Sequence, residues 1–262
     1  MANFGSSNKF AKNLRRGELL VPHLNNYFAN AVFPDDIPIS INMNKEEDLA
    51  FHPSSALKCS RELYAMLAEE LPHGKHALEA QKNFMIGHMY HGLFQWIIVE
   101  GLGFAEWDQI EKEFDFGWDK SKADFDGSCV TESGNPYRVR GYLDVARCTI
   151  PNVGEYLVDI KTVNSRLYNQ ANLPYSTMEK YEAQVKLYLE FEDLPEAIIL
   201  AIEKDSPHRF KEFRIQRDPD FVNDVVLRWE SVVDAVALGE LPDCTCGDRT
   251  CPVKGIYDGA VA

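Results

Sequence analysis

Apolar and polar residues alternate in several segments downstream of residue 108, and this period of two is typical of β-strands. We predict strands over residues 109–118, 137–148 and 155–163, with two more between residues 197 and 217. Apolar residues at helical spacing predict helices over residues 54–71, 76–103, about 177–192 and about 219–238. This order of elements predicts an α/β fold in which a mixed central β-sheet is flanked by helices.

Residues 1–50 lack clear periodicity and include the proline-broken segment FPDDIPIS, so we predict an N-terminal extension followed by one domain over residues 51–262. The chain has no run of about 18 apolar residues, which argues against a membrane-spanning helix. Its first twenty residues include basic residues but lack the apolar segment of a secretory signal. We therefore expect a cytoplasmic protein with no membrane partner.

The formal net charge is −14, whereas proteins that coat nucleic acid without specificity are usually basic. This balance argues against nonspecific coating. It does not argue against a narrow basic groove on an acidic body, because the field that acts on a ligand is local. A surplus of carboxylates is also compatible with a metal site.

Two aspartates and a lysine interrupt neighbouring apolar strands. Asp144 lies in GYLDV, and Asp159 and Lys161 lie in YLVDIKTV. Pairing of the two strands as a hairpin would bring the carboxylates side by side, where they repel unless a cation lies between them. Oxygen-rich sites of this kind suit Mg²⁺ or Mn²⁺. Lys161 follows Asp159 by two positions and therefore projects from the same face of its strand.

Four ordered motifs carry a resemblance to a known family. They are GHMYH at 87–91, GYLD at 141–144, DIK at 159–161 and QVKLY at 184–188. Together they resemble the PD-(D/E)XK nucleases, and within them the RecB-type branch. The resemblance covers residues 87–188 and implies a restriction-endonuclease-like core.

The resemblance assigns a role to each motif. It implies that one or two Mg²⁺ or Mn²⁺ ions are bound by His91, Asp144, Asp159 and the backbone carbonyl of Ile160. His91 fits the glycine spacing of the first motif, whereas the neighbouring histidine at position 88 does not. Lys161 would orient the attacking water, and Gln184 and Tyr188 would line the site and contact the DNA strand.

The implied activity is hydrolysis of phosphodiester bonds in single-stranded DNA or at DNA ends by a metal-dependent exonuclease. Such an enzyme would serve recombination, repair or phage DNA processing, with a recombination or repair protein as a partner. Two alternatives stay open. One is a non-catalytic DNA-binding subunit with the nuclease fold, and the other is an endonuclease on the same fold.

Three of the six cysteines fall within eight residues, in CTCGDRTC, and a fourth precedes the motifs. Four thiols suffice for one tetrahedral metal centre. These thiols are Cys59, Cys244, Cys246 and Cys251. The arrangement is similar to the iron–sulfur subgroup of RecB-type nucleases, which implies a [4Fe–4S] cluster joining the N- and C-terminal segments. The single residue between the second and third thiols departs from that subgroup, so Zn²⁺ and unliganded thiols remain alternatives. Cys129 and Cys148 are expected to be ordinary residues.

Basic residues are concentrated between positions 204 and 217. They are Lys204, His208, Arg209, Lys211, Arg214 and Arg217. This segment would be either a phosphate-binding wall beside the metal site or a charged edge strand that resists aggregation. Arg61 and Lys204 are the side chains that we most expect to contact DNA.

Overall fold

The computed structural model of the protein describes most of the chain. The described residues are 19–31, 34, 36–37, 49–68, 78–119, 124–125, 129–169, 175–205, 208–246, 251 and 253–257. The chain divides into two compact units. The first unit comprises residues 1–45, 76–112 and 142–218, and the second comprises residues 46–75, 113–141 and 219–262.

Among the described residues, five strands form in the regions where the alternating pattern predicted them, and one further strand is added. The strands are β1 (Ile110–Asp119), β2 (Asp124–Phe125), β3 (Arg138–Ile150), β4 (Gly154–Val163), β5 (Glu196–Glu203) and β6 (Phe210–Gln216). The addition is the two-residue strand β2, which pairs with the end of β1. The predicted α/β fold with a mixed, helix-flanked sheet is confirmed at this level.

The described residues form seven helices. They are α1 (Val21–Asn30), α2 (Ser60–Leu67), α3 (Leu78–Trp96), α4 (Ser165–Asn169), α5 (Tyr175–Phe191), α6 (Pro219–Leu238) and α7 (Lys254–Tyr257). Helices α2, α3, α5 and α6 correspond to the predicted ones, whereas α1, α4 and α7 were not predicted. A π-helical turn, Ile97–Gly101, continues α3. No described helix combines the length and the apolar character needed to cross a membrane.

The strand order in the sheet is β2-β1-β3-β4-β5-β6. Strands β3 and β4 pair antiparallel, β4 and β5 pair parallel, and β5 and β6 pair antiparallel. The β3–β4 register ends with Val145 opposite Val158, and Asp144 and Asp159 are the next residue on each strand. Directly opposed residues point to the same face of a sheet. The hairpin therefore brings the two carboxylates together, as the sequence predicted.

The first unit buries the apolar faces of its strands against α1 and α3. Phe94 and Ile97 from the α3 region pack with Val158 and Ile198 of the sheet. Most of the predicted N-terminal extension, residues 1–50, lies outside the described residues. Within it, α1 forms although the sequence pattern did not predict it, and its residue Leu24 is fully buried in this core.

The second unit has a core of its own. The rings of Phe51 and Trp229 stack in parallel, with their centroids 4.8 Å apart. Gly141 explains part of the GYLD motif, because a Cβ atom at this position would lie 2.5 Å from the Phe114 ring. Any larger residue would therefore displace that ring.

Candidate metal centre and catalytic residues

Helix α3 and strands β3 and β4 of the first unit bring the central motif residues together. His91 Nδ1 lies 3.1 Å from Asp144 Oδ1. The other carboxylate oxygen of Asp144 accepts a hydrogen bond from the backbone N–H of Ile160 at 2.6 Å. Three of the residues that the sequence predicted as one metal site are thus in direct contact.

Asp159 and Lys161 form a buried ion pair beside this contact. Lys161 Nζ donates to Asp159 Oδ1 at 2.8 Å. The side chain of Asp159 is only 2% exposed, and its second oxygen, Oδ2, has no hydrogen-bond partner among the residues that the structure describes. A buried acceptor without a partner costs about 1–3 kcal/mol. The free oxygen therefore indicates that this carboxylate is built to accept a ligand.

The two aspartates differ in charge environment although they face each other. Burial raises the pKa of Asp159 to about 6, and the nearby Asp144 charge acts in the same direction. Burial also opposes ionisation of Asp144, but His91, Lys161 and the Ile160 N–H outweigh it and hold the Asp144 pKa at about 2. A cation placed between the carboxylates would relieve this repulsion and favour the ionised form of both.

Glu111 completes this group, and the sequence analysis did not select it. Ligand atoms of His91, Glu111 and Asp144 all lie within 4.8 Å of one another. Gln95 holds the glutamate in place, because its Nε2 donates to Glu111 Oε1 at 2.8 Å and to the Asp144 carbonyl at 3.2 Å. The backbone of Glu111 has a φ of 47°, a left-handed conformation that is rare for residues other than glycine. Strained residues of this kind cluster at functional sites.

Helix α5 supplies a third set of side chains. The ring centroid of Tyr181 lies 5.3 Å from Lys161 Nζ, within the range of a cation–π contact. Gln184 Nε2 donates to the hydroxyl oxygen of Tyr188 at 2.8 Å, so these two predicted residues do meet. Tyr188 is only 3% exposed, which indicates support of Gln184 rather than direct contact with a DNA strand. Burial, followed by the charge of Asp159, raises the Tyr188 pKa.

These residues fit a hard divalent cation. One imidazole and two carboxylates provide the nitrogen and oxygen ligands that Mn²⁺ and Mg²⁺ accept. The set differs from the predicted one, because Glu111 joins His91 and Asp144 while Asp159 lies outside this group of three. Ile160 contributes its N–H to Asp144, whereas a role for its carbonyl stays a prediction.

The four predicted cysteines form a second cluster, within the second unit. Their sulfur atoms all lie within 4.8 Å of one another. Cys59 Sγ lies 3.7 Å from Cys244 Sγ and 3.9 Å from Cys251 Sγ, and Cys244 Sγ lies 3.5 Å from Cys246 Sγ. Sulfurs bonded to one tetrahedral Zn²⁺ at about 2.3 Å would be about 3.8 Å apart. These three spacings are close to that value, and four thiols this close together are compatible with a metal or cluster site.

Local hydrogen bonds prepare one thiol for metal binding. Burial opposes ionisation of Cys59, but backbone hydrogen bonds from Thr245 and Arg61 and contacts with the other thiols lower its pKa to about 6. Arg61 Nε also donates to the carbonyl of Pro242 at 3.1 Å, which ties α2 to the segment before Cys244. This contact gives Arg61 a structural role, and its predicted contact with DNA stays a prediction.

The remaining two cysteines lie apart from this cluster. Cys129 and Cys148 are both buried and are not part of the four-thiol group. Burial raises the pKa of the Cys148 thiol to about 12, which keeps it protonated. Both agree with the expectation of ordinary residues.

The basic residues around β6 are largely matched by acidic or polar groups. Arg209 pairs with Glu203, Arg214 pairs with Glu196, and Arg217 pairs with both Glu190 and Asp193. Lys204 Nζ donates to Asn83 Oδ1 at 3.2 Å. The three arginines thus lie in ion pairs, which suits the interpretation of a charged edge strand better than that of a phosphate-binding wall.

Comparison with known proteins adds one distant likeness. No family model and no curated protein matches the chain. A solved structure described as "Crystal structure of SSO0001" is similar, with 18% sequence identity and a TM-score of 0.48 over 82% of this chain and 88% of the other. We draw nothing from a likeness of this degree.

Proposed function

We propose that this protein is a metal-dependent deoxyribonuclease that hydrolyses phosphodiester bonds of single-stranded DNA or of DNA ends. The observation that carries the proposal is the juxtaposition of His91, Asp144, Asp159 and Lys161. The buried Oδ2 of Asp159 has no hydrogen-bond partner among the described residues, and a bound cation would satisfy this oxygen.

In this proposal His91, Glu111 and Asp144 would hold the Mg²⁺ or Mn²⁺ ion, with the free oxygen of Asp159 next to it. When bound, such an ion withdraws charge from phosphoryl oxygens and makes water more acidic. Gln95 supports this arrangement through its hydrogen bond to Glu111.

Lys161 would orient the attacking water and stabilise charge on the phosphate of the DNA substrate. Burial disfavours its ammonium form, but the charges of Asp159 and Asp144 outweigh burial and raise the Lys161 pKa. A lysine that stays protonated is a hydrogen-bond donor, so it can orient a water molecule and stabilise charge that develops on a phosphoryl oxygen. Asp159 fixes the ammonium through the 2.8 Å hydrogen bond.

We propose further that the four clustered cysteines hold a metal centre with a structural role, because hydrolysis requires no electron transfer. The resemblance favours [4Fe–4S], whereas the sulfur spacing of 3.5–3.9 Å favours a single Zn²⁺. Iron and zinc analysis of anaerobically purified protein distinguishes the two.

The proposed activity is tested with DNA labelled at its 5′ or its 3′ end. Single-stranded, double-stranded, linear and circular substrates are incubated with Mn²⁺, and EDTA serves as the control. Release of short products from linear single strands supports the exonuclease, and cutting of circles supports the endonuclease. Tight binding without cleavage on any substrate would instead support the non-catalytic DNA-binding subunit.

Replacing Glu111 by glutamine should weaken Mn²⁺ binding, because a neutral amide is a poorer ligand than a carboxylate. We expect the Mn²⁺ concentration at half-maximal cleavage to rise about 10-fold or more. Glu113→Gln is the matched control, since Glu113 pairs with Arg140 and its side chain is 42% exposed. If both variants need the same Mn²⁺ concentration for half-maximal cleavage, Glu111 is not a ligand of the metal.

Replacing Tyr181 by leucine should slow cleavage without weakening DNA binding, because the ring holds Lys161 from one side. A desolvated cation–π contact contributes up to about 2 kcal/mol, which corresponds to a fall in kcat of up to about 30-fold. Tyr181→Phe keeps the ring and should retain the parent kcat. Steady-state kinetics measures both, and a change in KM alone would argue against this role.

A further inference from the structure

Arg228 on α6 presents buried donors that have no partner. Its Nε and Nη2 atoms are shielded from solvent, and neither makes a hydrogen bond among the residues that the structure describes. Burial accordingly lowers the Arg228 pKa, and the charge of Cys59 acts in the opposite direction. The arginine is therefore a partly buried cation whose identified electrostatic partner is a thiol of the cysteine cluster.

The second unit packs the helix that carries this arginine against the helix that begins at the cluster. Helix α6 packs against α2, and Cys59 is the N-cap residue of α2. The four sulfurs converge at this end of α2, with Cys244 and Cys251 both within 3.9 Å of Cys59. Arg228 thus lies on a helix that supplies none of the thiols, and it interacts electrostatically with Cys59.

A metal centre bound by the four cysteines would place negative charge near Arg228. A buried guanidinium with orphan donors is costly, and without metal the charge of Cys59 is the one opposite charge identified for it. When the four cysteines bind a divalent ion as thiolates, the centre has a formal net charge of about −2. A [4Fe–4S] cluster in its oxidised form, bound by four thiolates, has the same net charge. Hydrogen bonds and positive charge next to such sulfurs stabilise the loaded form.

We infer that Arg228 is a positioning residue for the cysteine metal centre, where its Nε–H and Nη2–H groups donate to thiolate sulfur and offset the excess charge. This inference rests on the proposed metal centre at the four cysteines and is independent of the nuclease proposal. It applies equally to Zn²⁺ and to an iron–sulfur cluster.

The test compares Arg228→Met with the parent protein. Both are purified anaerobically, iron and zinc per chain are counted, and loss of the bound metal to a chelator is followed in time. Outer-shell partners typically contribute 10- to 100-fold to metal affinity, so we expect metal loss to be faster by about that factor. Arg228→Lys keeps the charge and should recover part of the difference. Arg166→Met removes an exposed arginine and should behave like the parent.

A second readout separates this role from simple packing. Without metal, Cys59 alone offers Arg228 an opposite charge, so Arg228→Met should lower thermal unfolding less in the stripped form than in the loaded form. Destabilisation of the stripped and loaded forms by the same amount would overturn the inference, and so would equal rates of metal loss. If the parent itself binds neither iron nor zinc at these cysteines, the metal centre fails and the inference fails with it, whereas DNA cleavage is unaffected.

Discussion

Asp159→Asn and Lys161→Met should each abolish DNA cleavage, with rates at least about 1,000-fold below that of the parent protein. The buried Oδ2 of Asp159 lacks a hydrogen-bond partner among the described residues, and Lys161 donates to the other oxygen, Oδ1. We expect different effects on metal binding. Asp159→Asn should weaken Mn²⁺ binding, and Lys161→Met should leave it nearly unchanged, because an ammonium is not a ligand.

Loss of activity must be separated from loss of the fold. Asp159→Asn leaves the buried Lys161 without its counter-charge, which costs about 3–5 kcal/mol of stability. The double variant restores neutrality, so we expect it to regain stability but not cleavage. Thermal unfolding and a cleavage assay on the same preparations measure the two properties. Recovery of cleavage in the double variant would refute the assigned roles.

Cys59→Ala and Cys251→Ala should each release the metal centre and destabilise the protein strongly. The two residues are 192 positions apart, so a shared metal closes a very long loop. In the cross-link model, closing such a loop contributes about 5 kcal/mol through the entropy of the unfolded chain. Metal–thiolate bonds also couple directly to folding. Metal analysis and denaturant unfolding of the purified variants measure both effects.

The other two cysteines provide the matched controls. Cys129→Ala and Cys148→Ala should keep the full metal content, because neither residue belongs to the four-thiol group. A brown protein with about four irons per chain would indicate the iron–sulfur cluster, and a colourless one with a single zinc would indicate the tetrahedral ion. Unchanged metal and stability in Cys59→Ala would show that these thiols have no joint role.

The hairpin carrying Asp144 and Asp159 could be predicted because its signal is local. Alternation fixes which residues share a face of each strand, and a short connection between neighbouring strands favours antiparallel pairing. The observed register, with Val145 opposite Val158, then follows. Strand β4 runs from Gly154 to Val163, close to the predicted 155–163, and Asp159 lies inside it.

Glu111 could not be chosen from the sequence. In a regular strand Glu111 and Glu113 point to the same face, so alternation gives no reason to prefer either. The left-handed backbone at Glu111 breaks that regularity, and the carboxylate is held by Gln95 from α3. A long-range hydrogen bond and a local distortion thus select the residue, and neither leaves a pattern in the sequence.

Helix α1 was missed for a related reason. Its first backbone N–H groups are capped by the buried carboxylate of Glu212 on β6, at 2.8 Å from Leu20 N and 3.0 Å from Val21 N. A helix start normally shows a capping side chain within the same segment, and here Leu20 occupies that position without a side-chain cap. The residue that caps the start of α1 therefore lies nearly two hundred positions further along the chain.

The most direct test of the central claim is the initial rate of nucleotide release from labelled single-stranded DNA in Mn²⁺, measured for the parent protein and for Lys161→Met. Both should bind Mn²⁺ comparably, because Lys161 donates to Asp159 and is not itself a ligand. We expect the parent protein to release nucleotides rapidly, and we expect EDTA to stop this release and added Mn²⁺ to restore it. Release by Lys161→Met should be at least about 1,000-fold slower. Equal rates from the two proteins, or no release by the parent from any DNA substrate in Mn²⁺ or Mg²⁺, would contradict it.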